Sequence, residues 1–257
     1  VRRYRLGLAA SLLLALISVA FIGKWPFYDL PYDGIDKLRE LHSKNGIFGG
    51  YISSVESIFY NDFYESEQKL SRILEGGEYR HVVSPNPKLV ECAVTLERCI
   101  ADFDVCGIRL HPEYHGFRLT DSCTLAVTDI ARRYGLPIFI TARMHDERLC
   151  HMINQAELDI DDVKKFVRDN SDIKIILCQF KIHELLLLEN ELFELPNLYT
   201  DTSSLRSNLF GNAPTEIFKK AVFGSGYPLL HVTASALMLT ELRGEVREIF
   251  FSRGDII

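Results

Sequence analysis

The sequence predicts an α/β fold, a single-domain (β/α)8 TIM barrel. Short apolar runs alternate with helical stretches from end to end, there are eight such runs, and each is almost continuously apolar. Continuous apolar strands are typical of a parallel sheet that helices cover on its faces. Eight strand–helix units that close on themselves form a barrel, and 257 residues is the usual length for one.

The predicted strands are rich in β-branched and aromatic residues and are followed by turn or helix signals. They cover residues 17–23, 48–55, 80–84, 105–111, 137–143, 173–179, 197–203 and 221–226. Helical spacing predicts helices over 33–44, 122–135, 159–170, 181–195 and 231–245. A doubly wound open sheet is the alternative, but no GxGxxG or GxxxxGK motif follows any of these strands.

The N-terminal segment has two interpretations. Residues 6–23 are uncharged and mostly apolar and follow basic residues, which is the pattern of a signal peptide or a short membrane anchor. The favoured interpretation is that 17–23 is the first barrel strand, because the strand count needs it. We therefore expect an apolar extension over 1–16, a barrel domain over 17–257 and a cytoplasmic protein. A membrane-anchored or exported protein is the alternative.

Composition limits the partners of the protein. A formal net charge of −6 and a pI of about 5.8 argue against binding to nucleic acid and to anionic membrane surfaces. Membrane contact is expected only through residues 6–23, and a homo-oligomer stays open. The six cysteines are scattered without a CxxC pair, which indicates reduced, packed thiols and neither a disulfide framework nor a zinc site.

Polar residues gather where the predicted strands end, and barrel enzymes carry their chemistry at the carboxyl ends of the strands. The fourth and fifth strands have the richest ends. The candidates are Arg109, His111 and His115 after strand four, Thr141, Arg143, His145, Asp146 and Arg148 after strand five, Gln179 after strand six, Asp201, Ser203 and Ser204 after strand seven, and Ser225 and Tyr227 after strand eight.

His111 and His115 have the i, i+4 spacing of a helical metal pair. Pro112 and Gly116 predict a loop instead, so the helical geometry is not expected. At a strand end, His111 is placed to act as an acid, a base or an oxyanion donor. The alternative for both histidines is a structural hydrogen bond to a neighbouring loop, and it is favoured for His115.

The remaining strand ends also have two interpretations. Arg143 suits bidentate binding of a carboxylate or phosphate. Asp146 either orients a catalytic group or pairs with Arg148 or Arg109 and so joins neighbouring loops. Asp201 either contacts a ligand or caps backbone amides. No GxSxG motif surrounds the serines, so a serine-hydrolase triad is not supported.

Five motifs occur in order at the strand ends: GKWPF, GIRLHPEYHGFRLTD, GLPIFITARMHDER, PNLYTDTSSL and VFGSGYPL. Together they resemble the amidohydrolase-related (amidohydrolase 2) family over residues 17 to about 257. The resemblance implies a TIM-barrel hydrolase or decarboxylase with a divalent metal such as zinc. It also implies ligands on strands one, five, six and eight, at Val19 and Phe21, at Thr141, at Gln179 or Cys178, and at Gly226. All of these positions carry other residues here, so no metal ligand and no cofactor are expected.

Two functions remain. The first is an amidohydrolase-like hydrolase or decarboxylase that acts on a small carbonyl or carboxylate compound without the usual metal. His111 and Asp146 would be catalytic, and the substrate-binding candidates are Arg109, Arg143, His115, Arg148, Gln179, Asp201 and Ser225. The second is a catalytically inactive barrel with a binding or structural role, for which residues 6–23 could serve as a membrane tether.

Overall fold

Eight parallel strands follow one another in chain order around a single sheet. A computed structural model describes residues 16–30, 33–144, 158–205, 215–239 and 244–251. The strands are β1 Leu16–Ile22, β2 Ile47–Ser54, β3 Tyr79–Val83, β4 Val105–Leu110, β5 Ile138–Thr141, β6 Ile175–Cys178, β7 Leu198–Asp201 and β8 Ala221–Val222. Each of them overlaps one predicted run, and β1, β2 and β3 begin one residue earlier than predicted.

The sheet closes between its first and last strands. Val19 N donates to Phe223 O over 3.0 Å and Phe21 N to Tyr227 O over 2.8 Å, while Ser225 N donates back to Val19 O over 3.2 Å. Val19 and Gly224 form a parallel bridge. The predicted (β/α)8 barrel is therefore confirmed, and the open doubly wound sheet is excluded. Strand β8 is shorter than its predicted run because the residues after Val222 bond to β1 only intermittently.

Helices connect the strands and cover the outside of the barrel. They are α1 Ile35–Lys44, α2 Glu56–Phe59, α3 Tyr64–Leu74, α4 Cys92–Asp102, α5 Pro112–His115, α6 Leu125–Tyr134, α7 Ile160–Asp169, α8 Ile182–Leu187, α9 Glu189–Glu194, α10 Val232–Leu239 and α11 Gly244–Phe251. In the described part of the chain, two short 3-10 helices, Ser122–Thr124 and Thr215–Lys220, precede α6 and β8. The single helix predicted over 181–195 is two helices that meet at Leu188.

The core has an outer and an inner layer because successive strand residues point to opposite faces of the sheet. Ile108 and Leu110 of β4 belong to the outer layer, between the sheet and the helices. The inner apolar cluster on the barrel axis comprises Val19, Tyr51, Val82, Phe139, Ile176, Cys178 and Val222. Arg109 lies between Ile108 and Leu110 and therefore points into the barrel.

The structure describes the chain from Leu16, where β1 begins, so residues 1–15 of the predicted N-terminal extension lie outside the described residues. Cleavage of the extension, its anchoring and the domain boundary at 16/17 stay predictions. Within the described ranges, no helix combines the length and the hydropathy that a membrane span requires.

Candidate active site

Strand β4 carries Arg109 to the centre of the barrel, where its side chain is fully buried. The guanidinium carbon lies 4.2 Å from the centroid of the Phe21 ring and 5.2 Å from that of Phe139. None of its three nitrogens has a hydrogen-bond acceptor in the described part of the chain. Burying a charge without a hydrogen-bonded partner is costly, so this guanidinium is an unusual feature for a barrel interior.

Asp201 at the end of β7 is the carboxylate that acts electrostatically on Arg109. Burial raises its pKa to about 6, while hydrogen bonds from Gln179 N and from Ser203, and the charge of Arg109, oppose that rise. Gln179 N donates to Oδ1 over 2.9 Å, and Ser203 Oγ donates to the carboxylate over 2.9 Å. Above about pH 6 the carboxylate is therefore mainly ionised and attracts the guanidinium.

Gly224 makes room for this carboxylate. A Cβ atom at position 224 would lie 2.4 Å from Asp201 Oδ2, which no side chain tolerates. Gly224, two residues beyond β8, thus lets the chain approach the β7 aspartate closely.

The thiols near Arg109 supply no negative charge. Burial raises the pKa of Cys106 to about 12 and that of Cys178 well above its usual range. Both side chains are therefore neutral at physiological pH, and among the groups that act on Arg109 the attraction comes from Asp201.

His111 lies one residue beyond β4, fully buried beside the same aromatic ring. Its centroid is 5.9 Å from that of Phe21, and Nε2 lies 3.4 Å from Ser84 Oγ. Burial lowers its pKa well below the usual value, and the neighbouring His115 and Arg109 lower it further. Nδ1 has no partner among the described residues. His111 is thus a buried, neutral imidazole whose Nδ1 makes no hydrogen bond within the described chain.

The stretch after His111, predicted as a loop, contains one helical turn, α5. Pro112 occupies its first position, where a missing N–H is tolerated, and Gly116 ends it in the left-handed region. The turn brings the rings of His111 and His115 to 5.9 Å. His115 Nε2 is bonded to Ile58 O over 2.9 Å, and burial lowers its pKa to about 4. This bond is the structural alternative considered above, and the substrate-binding role of His115 stays a prediction.

Arg143, Gln179 and Ser225 hold strand ends in place. Arg143 Nη1 donates to Glu184 Oε2 over 2.9 Å and to Gln179 O over 2.8 Å, and its other nitrogen also pairs with Glu184. Gln179 has a left-handed backbone, with φ of 60°, and directs its N–H to Asp201. Ser225 Oγ donates to Val19 O over 3.5 Å. Contact of these three residues with substrate stays a prediction.

The second predicted catalytic residue, Asp146, lies outside the described residues, as do Arg148 and His145. The structure therefore brings together Arg109, His111 and Asp201 from the predicted set.

Two further buried hydroxyls belong to Thr141 on β5, one of the strand-end candidates, and to Ser53 on β2, which was not predicted. Neither hydroxyl has a hydrogen-bond partner in the described part of the protein. Ser53 pairs in register with Phe21, and Thr141 pairs with Cys178. Alternation along the predicted strands is the signal that identifies them, since both occupy positions that face the barrel interior.

The metal site that the family resemblance implies does not fit these residues. Val19 and Phe21 are apolar and packed in the core, and Thr141 offers only a hydroxyl. Gly226 has φ of 63°, and a Cβ there would lie 2.6 Å from Leu230 Cδ1, so an aspartate at this position would be strained. No group of three or more His, Cys, Asp or Glu side chains converges within the described ranges.

Comparison with known proteins gives likeness in structure only. No family model matches the sequence, and no curated protein matches it. A Staphylococcus aureus protein assigned to the amidohydrolases is 12% identical with a TM-score of 0.63, covering 84% of this chain and 88% of its own. A Pseudomonas putida protein assigned as a 2-pyrone-4,6-dicarboxylic acid hydrolase is 16% identical with a TM-score of 0.58, covering 93% of this chain and 95% of its own. The 5-carboxyvanillate decarboxylase of Novosphingobium aromaticivorans, complexed with manganese, is 10% identical with a TM-score of 0.61, covering 86% of this chain and 78% of its own. The chain thus shares the TIM-barrel fold of amidohydrolases and carboxylate decarboxylases.

Proposed function

We propose that the chain is an amidohydrolase-like hydrolase or decarboxylase that acts on a small carbonyl or carboxylate compound without a divalent metal. One observation carries the proposal: a fully buried guanidinium without an acceptor in the described chain lies beside a neutral imidazole where barrel enzymes carry their chemistry. Perturbed titratable groups that converge in this way are typical of active sites. The structural neighbours support the reaction class, since they act on carboxylate compounds.

Each side chain has a role in this proposal. Arg109 binds a carboxylate of the substrate through paired N–H donors. His111 is the general acid/base, because a neutral imidazole accepts a proton at one nitrogen and donates from the other. Asp146 is the second catalytic residue, which orients a neighbouring group. The further substrate-binding residues are Arg143, His115, Arg148, Gln179, Asp201 and Ser225.

In a metal-dependent barrel, the bound ion lowers the pKa of water so that hydroxide is available near neutrality. The inward positions that the structure describes do not supply the ligands for that ion, so we assign proton removal from water to His111. In a decarboxylation, the same residue would deliver the proton that replaces carbon dioxide on the substrate carbon.

The test uses chelator-treated protein and a panel of lactones, esters, amides and aromatic acids that carry carboxylates. We expect turnover to survive treatment with EDTA. The His111→Gln variant should lower kcat by about 10²- to 10⁴-fold, the usual contribution of a general acid/base. The matched control is His183→Gln, since His183 is exposed on α8, and its turnover should equal that of the wild type.

Activity that EDTA abolishes and zinc or manganese restores would contradict the metal-free mechanism. Unchanged turnover in His111→Gln would remove His111 from it. Complete absence of turnover over the panel would favour the inactive binding barrel, the alternative suggested by the missing metal ligands.

A further inference from the structure

We infer that Arg109 takes the electrostatic place of the divalent ion and that its guanidinium forms a binding site for a planar carboxylate on the barrel axis. The inference rests on the proposed function and deepens it, because it names the group that the site receives and the part of the substrate that does not react.

The position of the guanidinium is the first argument. The family resemblance puts metal ligands on β1 and β5, at Phe21 and Thr141 among others. The Arg109 guanidinium lies against Phe21 itself and against Phe139, which precedes Thr141 by two residues on β5. A permanent positive charge therefore stands next to the strand ends that would border the ion.

The charge balance is the second argument. A guanidinium cannot lose its proton in a protein, so the site is positive at every physiological pH. Asp201 offsets this charge, but its oxygens already accept from Gln179 N and from Ser203. A divalent cation next to Arg109 would be repelled, whereas an anion would gain its attraction in a water-excluded interior.

The geometry of the donors is the third argument. The N–H groups of a guanidinium lie in its plane, and they match the two oxygens of a carboxylate edge-on. The Phe21 and Phe139 rings flank the group at 4.2 Å and 5.2 Å. A flat carboxylate fits between such rings better than a tetrahedral sulfate or phosphate. The hydroxyls of Ser53 on β2 and Thr141 on β5 also face the barrel interior and have no hydrogen-bond partner among the described residues.

This site also restricts the chemistry. Loss of carbon dioxide removes the negative charge from the departing carboxylate, so a cation bound to that group would stabilise the ground state more than the transition state. The carboxylate that Arg109 holds is therefore an anchor, and the bond that breaks lies elsewhere in the substrate, within reach of His111.

The experiment is calorimetric titration of the full chain with acetate and benzoate, with sulfate as the tetrahedral comparison. We expect one saturable carboxylate site and at least tenfold weaker sulfate binding. Arg109→Gln should weaken carboxylate binding tenfold or more, and Arg109→Lys should fall between, because lysine keeps the charge and loses the planar fork. Arg133→Gln is the matched control, since Arg133 is exposed and pairs with Glu97. Circular dichroism establishes that each variant is folded.

Equal carboxylate binding by wild type and Arg109→Gln would overturn the inference, as would no binding by the wild type or equal binding of sulfate. Equilibrium dialysis against zinc and manganese should retain neither ion, and stoichiometric retention would also overturn it. Because binding is measured without turnover, Arg109-dependent binding in a protein without activity contradicts the proposed function alone. Turnover without Arg109-dependent binding contradicts this inference alone.

Discussion

Two regions of the molecule bury charged side chains, and they treat them in opposite ways. Outside the barrel, Glu67 of α3 lies 2.6 Å from His81 Nε2 of β3 and accepts Ser84 N over 2.9 Å. On the barrel axis, Arg109 has no acceptor among the described residues. The first region satisfies its buried carboxylate, as a structural role requires. The second keeps donors unused at a cost in stability, which is typical of a site that receives a ligand.

Ser84 joins the two regions. Its backbone N–H belongs to the Glu67 cluster, and its hydroxyl lies 3.4 Å from His111 Nε2. The satisfied cluster therefore fixes the strand end against which the candidate acid/base residue rests.

We expect the largest effect on the free energy of unfolding from Glu67→Ala. The change leaves His81 and the Ser84 N–H buried without their acceptor, and breaking a buried pair on one side costs about 3–5 kcal/mol. Urea denaturation measures the free energy of unfolding. The control Glu97→Ala removes an exposed partner of Arg133 and should cost less than ~1 kcal/mol. A loss below ~1 kcal/mol for Glu67→Ala as well would show that the cluster is not structural, and the contrast between the two regions would disappear.

The second effect concerns the pH dependence of stability at Asp201. Burial raises its pKa to about 6 in the folded chain, against an ordinary value of 3.8 for aspartate, so the folded state binds the proton more tightly. The contribution of this proton to the free energy of unfolding is on the order of 2–3 kcal/mol in total. It is fully present below about pH 3.8 and is lost as the pH rises to about 6. Arg109 and Cys178 face this carboxylate, with Gln179 and Ser203 bonded to it.

Asp201→Asn should remove this pH dependence of the free energy of unfolding, which urea unfolding between pH 4 and pH 7 measures. Burial lowers the pKa values of His42 and His115 to about 4. Their contributions to the free energy of unfolding are therefore lost as the pH falls, which is opposite to the trend for Asp201. The difference between wild type and variant is therefore the informative quantity. A difference that stays constant over this range would show that Asp201 titrates normally.

The sequence predicts the barrel well because the periodicity of apolar residues decides its strands. All eight strands overlap their predicted runs to within one residue at the start of β1, β2 and β3, and the ends of β4 and β7 carry Arg109, His111 and Asp201 as expected. The burial of Arg109 can be predicted because this residue lies within an apolar strand that is expected to be covered on both faces.

The parts that could not be predicted depend on contacts between distant residues. The pair of His81 and Glu67 joins β3 to α3, a helix that the apolar pattern did not predict. The packing of Phe21 and Phe139 against Arg109 joins strands that are far apart in the chain. Whether a buried arginine finds an acceptor is decided by such tertiary contacts, and no local pattern encodes them.

The smallest expected effect on stability, and the sharpest contrast, belongs to Arg109→Met. Replacing a buried charge with an apolar side chain of similar length is often neutral or stabilising. The Phe21 and Phe139 rings would pack against the methionine as they do against the guanidinium. Asp201 loses some attraction, which reduces the gain.

We therefore expect the free energy of unfolding of Arg109→Met to be unchanged or raised by up to ~2 kcal/mol, measured by urea denaturation at pH 7, while carboxylate binding is lost. A variant that is destabilised by more than ~2 kcal/mol would place Arg109 with Glu67 among the structural charges. Unchanged or raised stability together with lost carboxylate binding would separate Arg109 from Glu67, since removal of Glu67 lowers the free energy of unfolding.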